Sequence, residues 1–510
     1  MNVGVRTGNS IKNLHTALLL GLVLIVINFV AQRFFVQILG VEYLGLNGLF
    51  TNVVAMLAIT ELGLASAIVY HLYKPLHEKD TAKVSSIMRF YKLSYRLVAA
   101  IVTLIGIVTI PILPLIVGDT PVSVNIMLVF ALFVVNSVVS YLLSYKRSIL
   151  YADQKNYIIN LVHFATIVVL NVLQIVVLLA MQDYYIFLVL RIAATVIENV
   201  ILSRIVDKRY ALDPHPSQLS VEDRSDIFTK IKGLAFHKVG EFAVLGSTNI
   251  IISAMLGLVT VGLYSNYLLI QVTITGLFGQ ISQSIQASIG NLLVDVGGTK
   301  SMTTFRRLQF ANQALAIVVV SVFVIVSESF VTLWLGEEFV LNVGVVAALG
   351  VLLYTRLTRA VFANFKTAAG IFYEDRYVPI AESVINIVAS VVLVHFLGLA
   401  GAFLGTAISS LVLHAYTYPK YVYKGVLGRT YGEYAVHMAK NVTVAVFAVG
   451  VAYTVSGMYQ PDSAVLRLVV STLIATLIPL APFWVIYRRT DEYDYFRKMV
   501  MRMVRGLKRS

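Results

Sequence analysis

The chain has 510 residues, of which 58% are hydrophobic and 13% are charged, with a formal net charge of +14. Its mean hydropathy of +0.83 and apolar runs from end to end exclude an ordinary soluble domain, where about a quarter of residues are charged. Without cysteine there are no disulfides or thiolate metal sites. The nine His form no HxxxH or HxH cluster, so no metal or cofactor is expected.

A bilayer core takes about 20 apolar residues as helix. About fourteen such runs follow one another, near 14–38, 43–71, 88–117, 124–144, 157–180, 184–203, 233–256, 261–292, 308–335, 343–365, 377–396, 401–419, 436–456 and 465–487. Arg6 and Lys12 precede the first run as in a signal peptide. No small-residue cleavage site ends that run, and it is read as an uncleaved span. The alternate loops 39–42, 118–123, 181–183, 257–260, 336–342, 397–400 and 457–464 hold no Lys or Arg, though Glu42, Asp119, Asp183, Glu337, Glu338 and Asp462 lie there. The other segments, together with Arg89, Lys92 and Lys440 at inner span ends, hold 33 of the 40 basic residues. This positive-inside pattern puts both termini in the cytoplasm of a multi-pass protein, and it accounts for the high net charge without nucleic acid.

Residues 204–232 form the longest inner loop. Asp213-Pro214-His215-Pro216 breaks helix there, and Ser220 with Asp223 marks a new helix start with Ile227, Phe228 and Ile231 on its apolar face. The two sides of this loop match. Leu39-Gly40 with Gly45-Leu46 corresponds to Leu256-Gly257 with Gly262-Leu263. Ile11-Lys12 corresponds to Ile231-Lys232, and Tyr145-Lys146 with Tyr157 to Phe365-Lys366 with Tyr377. The predicted architecture is therefore all-α: two parallel-repeat six-helix lobes around a central cavity, plus two extra C-terminal helices. Its expected divisions are an N-terminal lobe 1–206, a cytoplasmic hinge 207–232, a C-terminal lobe 233–424, and a segment 425–510 with spans 13 and 14 and a basic tail. In that tail Phe496, Met499, Val500, Met503, Val504 and Leu507 fall at helical spacing, as in an amphipathic helix lying on the membrane.

Apart from those three, seven cations stay within the spans. Arg96 and Arg467 are near span ends and can snorkel. Arg33, Arg191, Lys238, Arg356 and Arg359 cannot be explained by topology, and each needs a wet cavity or a partner. Arg356 and Arg359, one turn apart, either form an anion-binding wall or pair with Glu61, Glu241 or Glu382. Lys238 and Glu241, three apart, either satisfy each other or serve the cavity, and Arg191 with Glu198 either packs helices or has a function. Glu61, Glu198 and Glu241 are the candidate cation or proton sites. Many of the 28 Tyr lie at inner span ends, as an interfacial belt.

The opening Arg6-Thr7-Gly8-Asn9-Ser10-Ile11-Lys12-Asn13, the run LGVEYLGLNGLF from Leu39 to Phe50, ELGLASAIVY from Glu61 to Tyr70 followed by Tyr73-Lys74-Pro75-Leu76, and AAGIFYEDRY from Ala368 to Tyr377 carry a resemblance across essentially the whole chain. They resemble the bacterial polysaccharide transporters, oligosaccharide-lipid flippases of the multidrug/oligosaccharidyl-lipid/polysaccharide (MOP) exporter superfamily. The resemblance implies a transporter of the bacterial cytoplasmic membrane, not an enzyme. Its cargo would be an undecaprenyl-pyrophosphate-linked glycan, moved to the outer leaflet by alternating access for surface polysaccharide synthesis. Membrane lipids and other polysaccharide-assembly proteins would be its partners. In the related lipid II flippases an arginine of the first span lines the cavity, and Arg33 is the matching position; two extra spans there help hold the lipid tail. The alternative is a cation-coupled multidrug-extrusion antiporter of the same superfamily. No G-x-x-x-x-G-K-[ST] loop is present for ATP.

Overall fold

A computed structural model describes residues 3–57, 61, 63–118, 122–295, 298–371, 373–459 and 461–507; the side chains of 3–18, 230, 232–245, 283–288, 290–300 and 503–507 are not described. All regular structure among the described residues is helical. The order is α1 (Val3–Leu39), α2 (Val41–Leu57), α3 (Leu64–Glu78), α4 (Thr81–Thr109), α5 (Leu113–Val117), α6 (Ile126–Ser144), α7 (Arg147–Ala152), α8 (Asn156–Met181), α9 (Tyr184–Arg209) and α10 (Val221–Leu256). There follow α11 (Leu258–Asp295), α12 (Gly298–Trp334), α13 (Val343–Thr358), α14 (Ala360–Ala368), α15 (Val378–Leu397), α16 (Leu399–Val412), a π-helix (Leu413–Val426), α17 (Tyr431–Met458), α18 (Ala464–Leu477), α19 (Leu480–Tyr487) and α20 (Asp491–Leu507).

Twelve described helices are long and apolar enough to cross a membrane, and Val41–Leu57 and Gly246–Leu256 are shorter apolar helices. These segments overlie the fourteen apolar runs, and the protein is a multi-pass membrane protein. Helix is the form such runs must take in lipid, because it satisfies every backbone polar group within the segment. The sequence punctuates the spans with polar N-caps and glycine exits. Asn125, Asp183, Asn342 and Ser463 each accept a first-turn backbone N–H through the side chain. Gly40, Gly118, Gly257, Gly336 and Gly398 leave the preceding helices with φ between +57° and +131°, a region open mainly to glycine.

Two expectations needed correction. The run 43–71 is not one helix: α2 ends at Leu57, and α3 starts after Gly63 at φ +81°. The run 401–419 is not α-helical throughout. The backbone changes at Leu413 to a 14-residue π-helix, where Pro419 lacks the N–H that an α-helical ladder would use.

The chain forms two compact units, Met1–Asn266 and Tyr267–Ser510. The first buries an apolar cluster around Ile68, Leu72, Tyr91, Val102 and Ile149. Ser220 caps α10 as expected, and the segment before it is tied to α4: the Asp213 N–H donates to Ser85 Oγ (2.9 Å), and Ser86 Oγ meets Ser217 Oγ (3.0 Å). In the second unit Phe305, Phe362, Phe365 and Tyr423 make one core cluster. Its α15–α16 hairpin closes to backbone contact through Gly401-x-x-x-Gly405. A Cβ on Gly401 would stand 2.1 Å from the Leu393 carbonyl oxygen, and one on Gly405 2.5 Å from the Ser390 nitrogen. Small residues are what permit such approach where lipid supplies no hydrophobic drive between helices.

Candidate functional site

In the first unit Arg33 stands exposed on α1, and its neighbour Gln32 donates from Nε2 to Asn266 Oδ1 (2.7 Å). Glu61 sits in the break between α2 and α3, where a charged side chain is released from helical register. The Tyr95 hydroxyl donates to its Oε1 at 2.6 Å. Tyr91 and Tyr141 flank Tyr95, with ring centroids at 4.3 and 5.6 Å. Glu61 therefore lies at the edge of an aromatic hydroxyl cluster rather than on a span face.

Arg191 and Glu198 do not pair. The Arg191 guanidinium lies 5.5 Å from the Phe133 ring centroid, a cation–π placement. Buried Glu198 takes Arg147 Nη2 at 2.9 Å and His163 Nδ1 at 3.1 Å, while Arg147 Nε donates to Asn199 Oδ1 (3.0 Å). Arg147 and His163 were missed by the sequence reading. Arg147 counts as a loop cation there, and no local spacing links it to a carboxylate 51 residues on.

In the second unit Arg356 is half-buried on α13. Arg359 is not on the same helix, because α13 ends at Thr358 and α14 starts at Ala360. Its Nη1 is 3.4 Å from Glu382 Oε1 on α15, which also accepts from the Ser410 hydroxyl (3.3 Å). Arg359 thus meets Glu382, one of the carboxylates named for it. Lys238 and Glu241 fall on α10, and their side chains lie outside the described residues.

The second unit also holds a groove of 740 Å³ between α12, α13, α16 and α17. Val320, Gly350, Leu411, Val446 and Gly450 are among its walls, and Val351, Leu411, Val442 and Val446 are exposed along it. Gly350 lets α13 approach α12, since a Cβ there would be 2.5 Å from Val324 Cγ2. Its polar lining is Tyr354, Thr355, Thr358, His414 and Tyr434 with Tyr453 further along α17, and His414 Nδ1 meets the Tyr434 hydroxyl at 3.0 Å. Such a groove fits an unbranched or methyl-branched hydrocarbon chain and offers a charged ligand little.

No protein-family model and no curated protein sequence matches the chain. Solved structures do. A lipid II flippase, MurJ, in an inward closed conformation superposes with a TM-score of 0.62 at 13% identity, covering 94% of this chain and 98% of that one. The fold is that of the MOP superfamily. An inward-facing multidrug resistance MATE transporter of that superfamily gives a TM-score of 0.58 at 14% identity, over 82% of this chain and 95% of that one. A MOP transporter from Pyrococcus furiosus gives 0.52 at 13% identity, over 80% and 92%.

Proposed function

We propose that the protein is a flippase that moves an undecaprenyl-pyrophosphate-linked oligosaccharide from the inner to the outer leaflet by alternating access. The observation that carries this reading is the groove. One wall is α17, the first of the extra spans, and the likeness that extends over 94% of the chain is to a lipid flippase. Lipid tails are as apolar as the groove, so it would gain little by hydrophobic transfer. Its role in this reading is to orient a prenyl chain while the headgroup crosses. The pyrophosphate carries about two negative charges, and a membrane potential that is negative inside contributes roughly 2.3 kcal/mol per charge per 100 mV, or about 4–5 kcal/mol, towards export.

Arg33 and Arg356 are the first candidates for the headgroup, and Arg191 and Lys238 come after them. Arg359 can join only by exchanging Glu382 for the cargo. For return of the empty carrier Glu61 is the first choice for a proton or cation, with Glu241 next; Glu198 already faces Arg147 and His163. Arg33→Ala and Arg356→Ala are expected to lower surface-glycan export by tenfold or more at unchanged protein level, since each removes a charge-assisted contact worth about 1.5–3 kcal/mol. Full export by both variants would sink the anion-cavity idea. The second reading, a multidrug antiporter, draws on the MATE likeness. Resistance to cationic drugs without any glycan export would select it.

A further inference from the structure

A polar pocket of 480 Å³ lies in the second unit where α12, α17, α19 and the start of α20 meet. It is at the span ends that carry the basic tail, on a different face of α17 from the groove. Gln309 lines it, is only 1% exposed, and has no hydrogen-bond partner among the described residues for either amide atom. A buried primary amide left wholly unmatched is rare in a native fold and asks for a ligand that both donates and accepts. The groups beside it are already satisfied. Asn441 Oδ1 accepts from the Tyr487 hydroxyl (2.6 Å), its carbonyl accepts from Gln313 Nε2 (2.9 Å), and its Nδ2 meets His437 Nε2 (3.1 Å). The floor is thus fixed, and Gln309 is the group that it leaves open.

Two cations and two carboxylates complete the lining: Arg306, Lys440, Glu433 and Glu492. Glu433 is 3.6 Å from Arg429. Lys440 Nζ stands 4.3 Å from the Tyr487 ring centroid, which steadies the ammonium without neutralising it. An anion alone would meet two like charges here, and a cation alone would meet two as well. A headgroup with both a phosphate and an ammonium meets neither penalty. The lip is apolar: Val436 lines the pocket and is 71% exposed. Above it α20 docks on α12 through Phe496 stacked on Phe310 (5.6 Å) and Tyr495 under Arg307 (3.8 Å).

We propose that this pocket binds the headgroup of a zwitterionic phospholipid of the phosphoethanolamine type. Its phosphate is held by Arg306 and Lys440 and its ammonium by Glu492 and Glu433, while Gln309 donates from Nε2 to a phosphate oxygen and accepts from the ammonium at Oε1, with the acyl chains leaving past Val436. The occupied site joins α20 to the spans. It does not depend on which cargo the transporter moves.

The test is native mass spectrometry of the full chain released from nanodiscs of phosphatidylethanolamine, phosphatidylglycerol or phosphatidylcholine. Wild-type protein is expected to retain phosphatidylethanolamine in preference to both others. Gln309→Leu, which keeps the volume, and Lys440→Met are each expected to retain it about tenfold less, one charge-assisted hydrogen bond in equilibrium terms. Lys440 is exposed, so that variant carries the test if Gln309→Leu fails to fold. Equal retention by wild type and Lys440→Met overturns the site. Retention of phosphatidylglycerol equal to phosphatidylethanolamine overturns the role of the carboxylates. Binding of free O-phosphoethanolamine to delipidated protein as tightly as the lipid overturns the membrane source.

Discussion

Gly45 and Gly262 close the same contact from opposite sides. A Cβ on Gly45 would stand 2.2 Å from the Leu258 carbonyl oxygen, and a Cβ on Gly262 would stand 2.1 Å from that of Val41. Val41 and Leu258 are the first residues of α2 and α11, each directly after a glycine exit, Gly40 at φ +98° and Gly257 at φ +86°. The contact is reciprocal, as across a local two-fold axis, and its partners are the residues that the internal sequence match aligns at an offset of 217.

Either glycine should therefore resist even the smallest side chain. Gly45→Ala or Gly262→Ala forces backbone apart and is expected to cost about 1–3 kcal/mol or more. Gly276, on α11 with nothing within 4 Å of a built Cβ, is the control. Gly276→Ala should be neutral or stabilising by up to about 1 kcal/mol. Thermal unfolding midpoints in detergent compare the three; lowered values for Gly276→Ala alone would refute the close approach.

Filling the groove tests its use. Gly450 lines it and has open space around its Cα. Gly450→Phe is expected to reduce export of lipid-linked glycan by about tenfold, the scale of 1.4 kcal/mol, while the amount of folded protein in the membrane stays constant. Unchanged export would detach the groove from the cargo.

The Arg359–Glu382 pair should show coupling. Glu382→Ala leaves a half-exposed guanidinium without its carboxylate, while the Ser410 hydroxyl keeps the Thr406 carbonyl (3.2 Å), and a loss of about 1–3 kcal/mol is expected. Arg359→Met should cost less, and the double variant should recover part of the Glu382→Ala loss. A double-mutant cycle measures the interaction; strict additivity would mean that the two groups do not act on each other.

The α10 start carries an acid-sensitive contact. Asp223 is held below its ordinary carboxylate pKa first by its hydrogen bond from Lys83, then by the Ser220 hydroxyl. A depressed folded pKa contributes stability at pH values above the unfolded value of 3.8, and that stability is lost as pH falls through the folded value. Hydrogen-exchange protection of residues 221–227, corrected for intrinsic rates, should drop below about pH 4 in wild type. In Asp223→Asn it should be low and flat with pH. A wild-type profile as flat as the variant's would contradict the contact.

Sequence by itself determined the helical membrane class, the order of the spans and where most of them turn. Apolar run length, polar caps and glycine exits are local signals, and lipid leaves helix as the one way to satisfy their backbone. It also marked Gly45 with Gly262 as equivalent, though not as touching. What only tertiary structure decided is which charge meets which. Arg147 found Glu198, Arg359 found Glu382, and Glu61 found Tyr95 across separations of 51, 23 and 34 residues. Partnership among buried ions is fixed by helix packing, and no spacing along one helix encodes it. The same holds for Gln309. Its place in an apolar run is plain from the sequence, but that no described residue answers its amide shows only when α12, α17, α19 and α20 are assembled around it.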